Sequence, residues 1–319
     1  MMSTRTRAEL RSAIESFFAA WATNDWSAMT EVVGMNTRLI SGQHGSATGL
    51  EHIATALGGD TSIAKLSIRT SNHYVGASGH KAAASAYAIA GRPGGRVPLL
   101  FGATAVFELS MADDAWVFSE IRLSVNWFRG TSVDVKHWSH IPDGSGWKLG
   151  DAPPTIVSEL DSPWAKLAHS DLPLSTEDAL RELYSRYSFA IDQGDIALLA
   201  DSFSADVRGG FSPMGQLAGR HAVVGQLKSF RRHWPWMQHF ADVLRIEVDP
   251  DGLRGRMIVA RIIPERQDEP GIGPVYGAHY QIEAAREADG KWRIQWTDYR
   301  PGWFTPSAVP AFDIGKSAA

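Results

Sequence analysis

The chain has 319 residues, 44% hydrophobic and 21% charged, the proportions of a globular protein long enough for two cores. Its 31 Lys and Arg against 35 Asp and Glu leave a net charge of −4, too balanced for a general phosphate-binding surface. It has no cysteine, which excludes disulfide scaffolds, thiol nucleophiles and cysteine-held metal clusters.

Met1 to Arg11 carry basic residues with no apolar stretch behind them, and no apolar run is long enough to span a bilayer. The expectation is a cytoplasmic protein with neither a membrane nor a nucleic-acid partner. Residues 8–23 place apolar side chains at helical spacing and end at the turn Asn24-Asp25-Trp26. A short helix follows, and Thr48-Gly49-Leu50 opens a third. Strands are predicted near 66–76, 81–91, 97–110 and 115–126, broken by Gly76-Ala77-Ser78-Gly79, Arg92-Pro93-Gly94-Gly95 and Asp113-Asp114. The stretch 137–175 holds Pro142, Pro153, Pro154, Pro163 and Pro173 and reads as a linker or wrapping arm.

The pattern then repeats. Residues 178–193 match the first helix, Gly194-Asp195-Ile196 its turn, and Ala218-Gly219-Arg220 the glycine that opens the third helix. Strands are predicted near 239–249, 252–264, 274–287 and 291–301, with Asp249-Pro250-Asp251-Gly252 and Ala288-Asp289-Gly290 as hairpin turns. His73 answers His239, Trp116 answers Trp292, and Trp127 answers Trp303. This predicts two tandem α+β domains, 1–136 and 176–319, joined by 137–175. Each has helices packed on one face of a curved, mostly antiparallel sheet.

The order of elements resembles the nuclear-transport-factor-2-like cone fold, in its SnoaL-like branch. The stretch LYSRYSFAIDQGDIALLADSFSADV at 183–207 carries most of the likeness, with MQHF at 237–240 and ADGKWRIQWTDYRPGWF near the end. The resemblance implies an apolar pocket between sheet and helices. It also implies pairing through the open sheet face, which a tandem chain could satisfy internally as a pseudo-dimer, with further homo-oligomers open.

The second unit matches the branch's scytalone dehydratase and lindane dehydrochlorinase-type lyases at Asp192 and His239, the acid and base of their dyad. A carboxylate on one imidazole nitrogen fixes the tautomer, so the other nitrogen can accept a proton. By residue type alone, Asp192 also reads as a helix cap and His239 as a core residue. In the first unit Ala22 stands in place of Asp192, which implies a degenerate site there. His279 and Gln281 alternate on one strand, share a face and are expected to line the dyad's cavity.

Tyr187, one turn from Tyr184, is a candidate hydrogen-bond donor, or plain core. Arg300 could hold an anionic leaving group or pair with Asp298. Trp236, in Arg231-Arg232-His233-Trp234-Pro235-Trp236, is a candidate pocket wall. Glu265 could serve as a general acid, or lie in a solvated turn. His137-x-x-His140 has no carboxylate at metal-site spacing, and no metal or cofactor is expected.

The leading reading is a cofactor-independent lyase that eliminates water, halide or a carbon fragment from a small apolar, aromatic substrate. Isomerase or polyketide-cyclase chemistry would use the same base. The non-enzymatic alternative is a tandem small-ligand-binding protein.

Overall fold

Thr6 opens the first helix with a reciprocal cap: its hydroxyl accepts the Glu9 amide at 3.2 Å, and the Glu9 carboxylate accepts the Thr6 amide at 3.1 Å. The helix, α1, runs Arg7–Thr23 and stops at Asn24, whose φ of 55° is left-handed. The computed structural model describes residues 6–92, 98–142, 156–167, 169–232, 237–264 and 275–301. The chain divides at Pro173/Leu174 into two units.

In the first unit α1 is followed by strands β1 (Val33–Ser41) and β2 (Gly45–Thr48), then helix α2 (Leu50–Gly58). The meander β3 (Ser67–Ser78), β4 (Lys81–Arg92), β5 (Leu99–Ala112) and β6 (Ala115–Arg129) completes a six-stranded sheet in the order β2-β1-β6-β5-β4-β3. Neighbours are antiparallel except β1 and β6, which are parallel. The short helix α3 (Pro163–Lys166) lies within the expected linker, yet Trp164 stacks on Tyr74 of β3 with ring centroids 4.2 Å apart. Trp138 is buried in the same core. Large aromatic surfaces need burial, so these parts of 137–175 fold with the first unit.

The second unit repeats the plan. Ser175 caps α4 (Thr176–Gln193), which ends at left-handed Gly194, and Asp195 caps α5 (Ile196–Asp201) by accepting the Leu198 amide at 2.9 Å. Strands β7 (Phe203–Gly210) and β8 (Gln216–Ala218), helix α6 (Arg220–Arg232), and strands β9 (Ala241–Val248), β10 (Arg254–Pro264), β11 (Val275–Arg286) and β12 (Trp292–Pro301) follow. The order is β8-β7-β12-β11-β10-β9, with β7 and β12 parallel. The α+β class with helices on mixed, mostly antiparallel sheets is therefore established. The hairpins β1/β2 and β7/β8, which supply the parallel pairs, are absent from the sequence-based expectation.

The repeat extends to sheet irregularities. Val33 faces Phe118 and Arg38 faces Glu120 across a break; Phe203 faces Ile294 and Arg208 faces Trp296 across its twin. Register also shifts at Glu108/Leu109 and at Glu283/Ala284. Carried across the strands, this frame aligns Ala88 with Arg261, Ala105 with Tyr280, and Ile68 with His239. His73 instead lies in a break of β3 between Ser71 and Tyr74, so it is not the structural counterpart of His239. Matching residue types suggested that pairing; the hydrogen-bond register corrects it.

One glycine is required by the parallel pairing. Gly209 has φ +147°, and a Cβ there would lie 1.8 Å from the Thr297 carbonyl oxygen. Gly209→Ala is expected to destabilise the second unit by on the order of 3 kcal/mol. Gly194→Ala, at a left-handed helix end with open space, is expected to cost about 1 kcal/mol. Urea denaturation of both variants checks the ranking; equal midpoints would contradict it.

Candidate functional site

Asp192 sits in the last turn of α4 and is fully buried. Its two carboxylate oxygens reach the residue that enters β9: Oδ2 accepts the His239 backbone amide at 2.6 Å, and Oδ1 lies 2.6 Å from His239 Nδ1. An ionised acceptor makes both bonds short and strong. The bond to the carboxylate places the imidazole proton on Nδ1 and leaves Nε2 as the basic nitrogen.

Two buried arginines flank the pair. Arg231 of α6 donates to the carbonyls of Ile191 and Asp192, its Nη2 lying 2.6 Å from the latter. It thereby satisfies acceptors left open at the end of α4. Arg261 of β10 donates from Nη1 to the Tyr280 hydroxyl at 2.9 Å and from Nη2 to the Gln238 carbonyl at 3.4 Å. Burial pushes His239 down to about 4; the positive charges of Arg261 and Arg231 act in the same direction, and Asp192 opposes them. His239 is therefore neutral near pH 7, the state a proton acceptor requires.

Three tyrosines line the same interior. The Tyr187 ring meets His239 edge-on with centroids 5.7 Å apart. Tyr184 lies 6.0 Å from Tyr280, and Tyr280 lies 5.2 Å from Tyr299. Burial raises the pKa of Tyr184, Tyr187 and Tyr280, so each hydroxyl keeps its proton.

Tyr280 also decides the fate of its neighbours. It faces α4, and strand alternation turns His279 and Gln281 to the opposite face of the sheet. They pair across strands with Ala260 and Arg300, and with Ile258 and Asp298, respectively. The expectation that they share the dyad's cavity is thus corrected. Arg300 lies on that same opposite face, exposed, with Nε 2.7 Å from Asp298 Oδ2. Trp236 and Glu265 lie outside the described residues. Arg261 and Tyr280, which complete the arrangement, were missed by sequence reasoning. The available signal was an arginine and a tyrosine in strand positions that hold alanine in the repeat.

The first unit holds a different polar cluster. Asp60, fully buried after α2, accepts Trp21 Nε1 at 3.0 Å and lies 2.8 Å from His44 Nε2 through Oδ2. Its Oδ1 accepts Trp138 Nε1 at 2.7 Å and lies 2.7 Å from His137 Nε2. Burial alone would raise this carboxyl, but the bonds from His137, His44 and Trp138 outweigh it and hold the group far below the usual carboxylate range. His44, Asp60 and His137 offer three ligand atoms within 4.8 Å of one another, so they could in principle hold a metal ion. Both carboxylate oxygens already serve two nitrogen donors each, and the indoles cannot ligate a metal. The cluster is a saturated anion tying Trp138 to the core, and it supplies the carboxylate that the spacing around His137 did not reveal.

Residues 173–298 match the family model described as a SnoaL-like domain. No characterised sequence matches the chain significantly. Similar solved structures include an NTF2-like protein with a cystatin-like fold from Novosphingobium aromaticivorans (17% identity, 43% of this chain and 90% of that one, TM-score 0.37). A candidate scytalone dehydratase from the same organism has 19% identity over 42% and 88%, TM-score 0.34. A hexachlorocyclohexane dehydrochlorinase, LinA-type3, from Novosphingobium barchaimii LL02 has 23% identity over 43% and 93%, TM-score 0.34. Among the described residues, no helix is long and apolar enough to cross a membrane.

Two histidines, the buried His239 and the half-buried His73, carry a pH signature. Burial lowers both His73 and His239 from 6.5 to about 4. Between those values the unfolded chain binds protons that the folded chain refuses, so stability is full above pH 6.5 and is lost as pH falls toward 4. Urea midpoints are expected to drop between pH 7 and pH 4.5, and His73→Phe should shrink that drop. A midpoint unchanged by pH would contradict the assignment.

Proposed function

We propose that the second unit is a cofactor-independent lyase whose general base is His239 and whose orienting acid is Asp192. The observation that carries this reading is the pair of hydrogen bonds from His239 to Asp192, 2.6 Å from the backbone amide and 2.6 Å from Nδ1, in a site closed to solvent. Bulk water does not position this histidine; a fixed carboxylate does, and it also stabilises the imidazolium formed when Nε2 takes a proton.

The reaction is elimination. His239 removes a proton from a carbon or hydroxyl of the substrate, the released electron pair forms a double bond, and the group on the adjacent carbon leaves with its own pair. The aromatic side chains of Tyr184, Tyr187, Tyr280 and Phe203 in the interior beside the dyad favour a flat, aromatic substrate. The first unit lacks both halves of the dyad, with Ala22 and Ile68 in the corresponding positions, and acts as scaffold.

The test is a screen of aromatic compounds bearing a β leaving group. His239→Ala is expected to lower kcat/KM by about 10²–10⁴-fold, with a comparable fall for Asp192→Asn. His73→Ala should leave turnover intact, because His73 lies in the break of β3. For the wild-type protein, kcat/KM should be flat near neutrality and fall as pH drops toward 4, where His239 becomes protonated. Undiminished turnover in His239→Ala would contradict the base assignment. Ligand binding without turnover in any compound would favour a binding protein.

A further inference from the structure

The two units build the same sheet and helices around opposite interiors. In the first, the positions matching Tyr184, Tyr187, Ser188, Asp192, His239, Arg261 and Tyr280 hold Ile14, Phe17, Phe18, Ala22, Ile68, Ala88 and Ala105. The fold therefore does not need these polar groups. Burying them costs free energy that apolar residues would not, so their presence calls for another reason.

Arg261 makes the point sharpest. Its guanidinium is buried and has no carboxylate within ion-pair distance among the described residues. Both oxygens of the nearest acid, Asp192, are engaged by His239. Burial opposes its charge, but the Tyr280 hydroxyl accepts from its Nη1 and the negative charge of Asp192 favours it, so Arg261 stays a cation. Its Nε–H has no hydrogen-bond partner among the described residues, and the buried hydroxyls of Tyr184 and Ser188, one turn apart on α4, have only each other. Arg231 adds a second positive charge beside the dyad. A buried cation with a spare donor, next to a pair of hydroxyls satisfied only by each other, is an incomplete anion site.

We infer that Arg261, with Tyr280 and Tyr184, is an oxyanion-binding subsite facing the His239 base, and that the substrate carries a phenol or conjugated carbonyl oxygen that takes negative charge there. This rests on the lyase reading and narrows its substrate class. When His239 removes a proton from the carbon next to such a carbonyl, the electron pair moves onto the oxygen, held by Arg261. It then returns to form the double bond as the β leaving group departs with its pair. Charge that develops in a closed site is best met by donors already in place.

4-Nitrophenol tests the subsite without any turnover, because its phenolate and phenol absorb differently. At a pH just below the probe's own pKa, the full-length protein is expected to bind it as the phenolate. Arg261→Met should weaken phenolate binding by about tenfold or more, and Tyr280→Phe by several-fold. If Arg261→Met fails to fold by circular dichroism, Arg261→Lys and Tyr280→Phe carry the comparison, since both keep more of the local structure. Three results overturn the inference: no binding, binding of the neutral phenol, or phenolate binding unchanged in the folded variants. The two proposals fail separately. Phenolate binding with no substrate turned over sinks the lyase reading alone; turnover lost in His239→Ala with a neutral bound probe sinks the subsite alone.

Discussion

The second unit is organised by one buried carboxylate. Asp192 closes α4 and, through two short bonds, fixes both the backbone and the ring of the residue that leads into β9. Helix and sheet are thereby joined at the point where the imidazole must be held. The same carboxylate supplies negative charge that favours the Arg261 guanidinium, while Arg231 is held by the carbonyls of Ile191 and Asp192. Remove its charge, and Arg231, Arg261 and His239 are left as a cluster of like or potential positive charges away from water.

The first unit shows how much of this is architecture and how much is chemistry. It reaches the same strand order, the same parallel pair and the same register breaks with an aromatic core, in which Phe17, Phe18, Phe107 and Phe118 meet mostly edge to face. Its fully buried acid Asp60 is turned to a different use, with four nitrogen donors fastening Trp21, His44, His137 and Trp138. A carboxylate so fully satisfied stabilises a fold and orients no single base. In the second unit the acid is spent on one histidine, and donors are left over for something else.

The long elements were legible in the sequence because their periods are strong: helical spacing in 8–23 and 178–193, and turns at Asp-Gly or Gly-rich breaks between strands. The hairpins β1/β2 and β7/β8 were not, because β8 is three residues long and β1 and β7 alternate imperfectly. Asp192 and His239 were found through the likeness of their surroundings to a known branch. The shared face of His279 and Gln281 was read correctly from alternation, but alternation does not say which face meets the helices; Tyr280 takes that side. The pairing of His73 with His239 failed because one irregularity in β3 displaces residue type from register. Asp60 left no signal, since its partners at 21, 44, 137 and 138 are scattered along the chain and meet only in the fold.

The central claim is that His239 is a neutral, oriented base. Long-range proton–nitrogen correlation spectra of histidine-labelled protein test it directly, with His239→Gln used to assign the resonance. The account predicts a neutral ring protonated on Nδ1 at pH 7, persisting until the pH approaches 4. A His239 signal that is already doubly protonated at pH 7, or that carries its proton on Nε2, would contradict it.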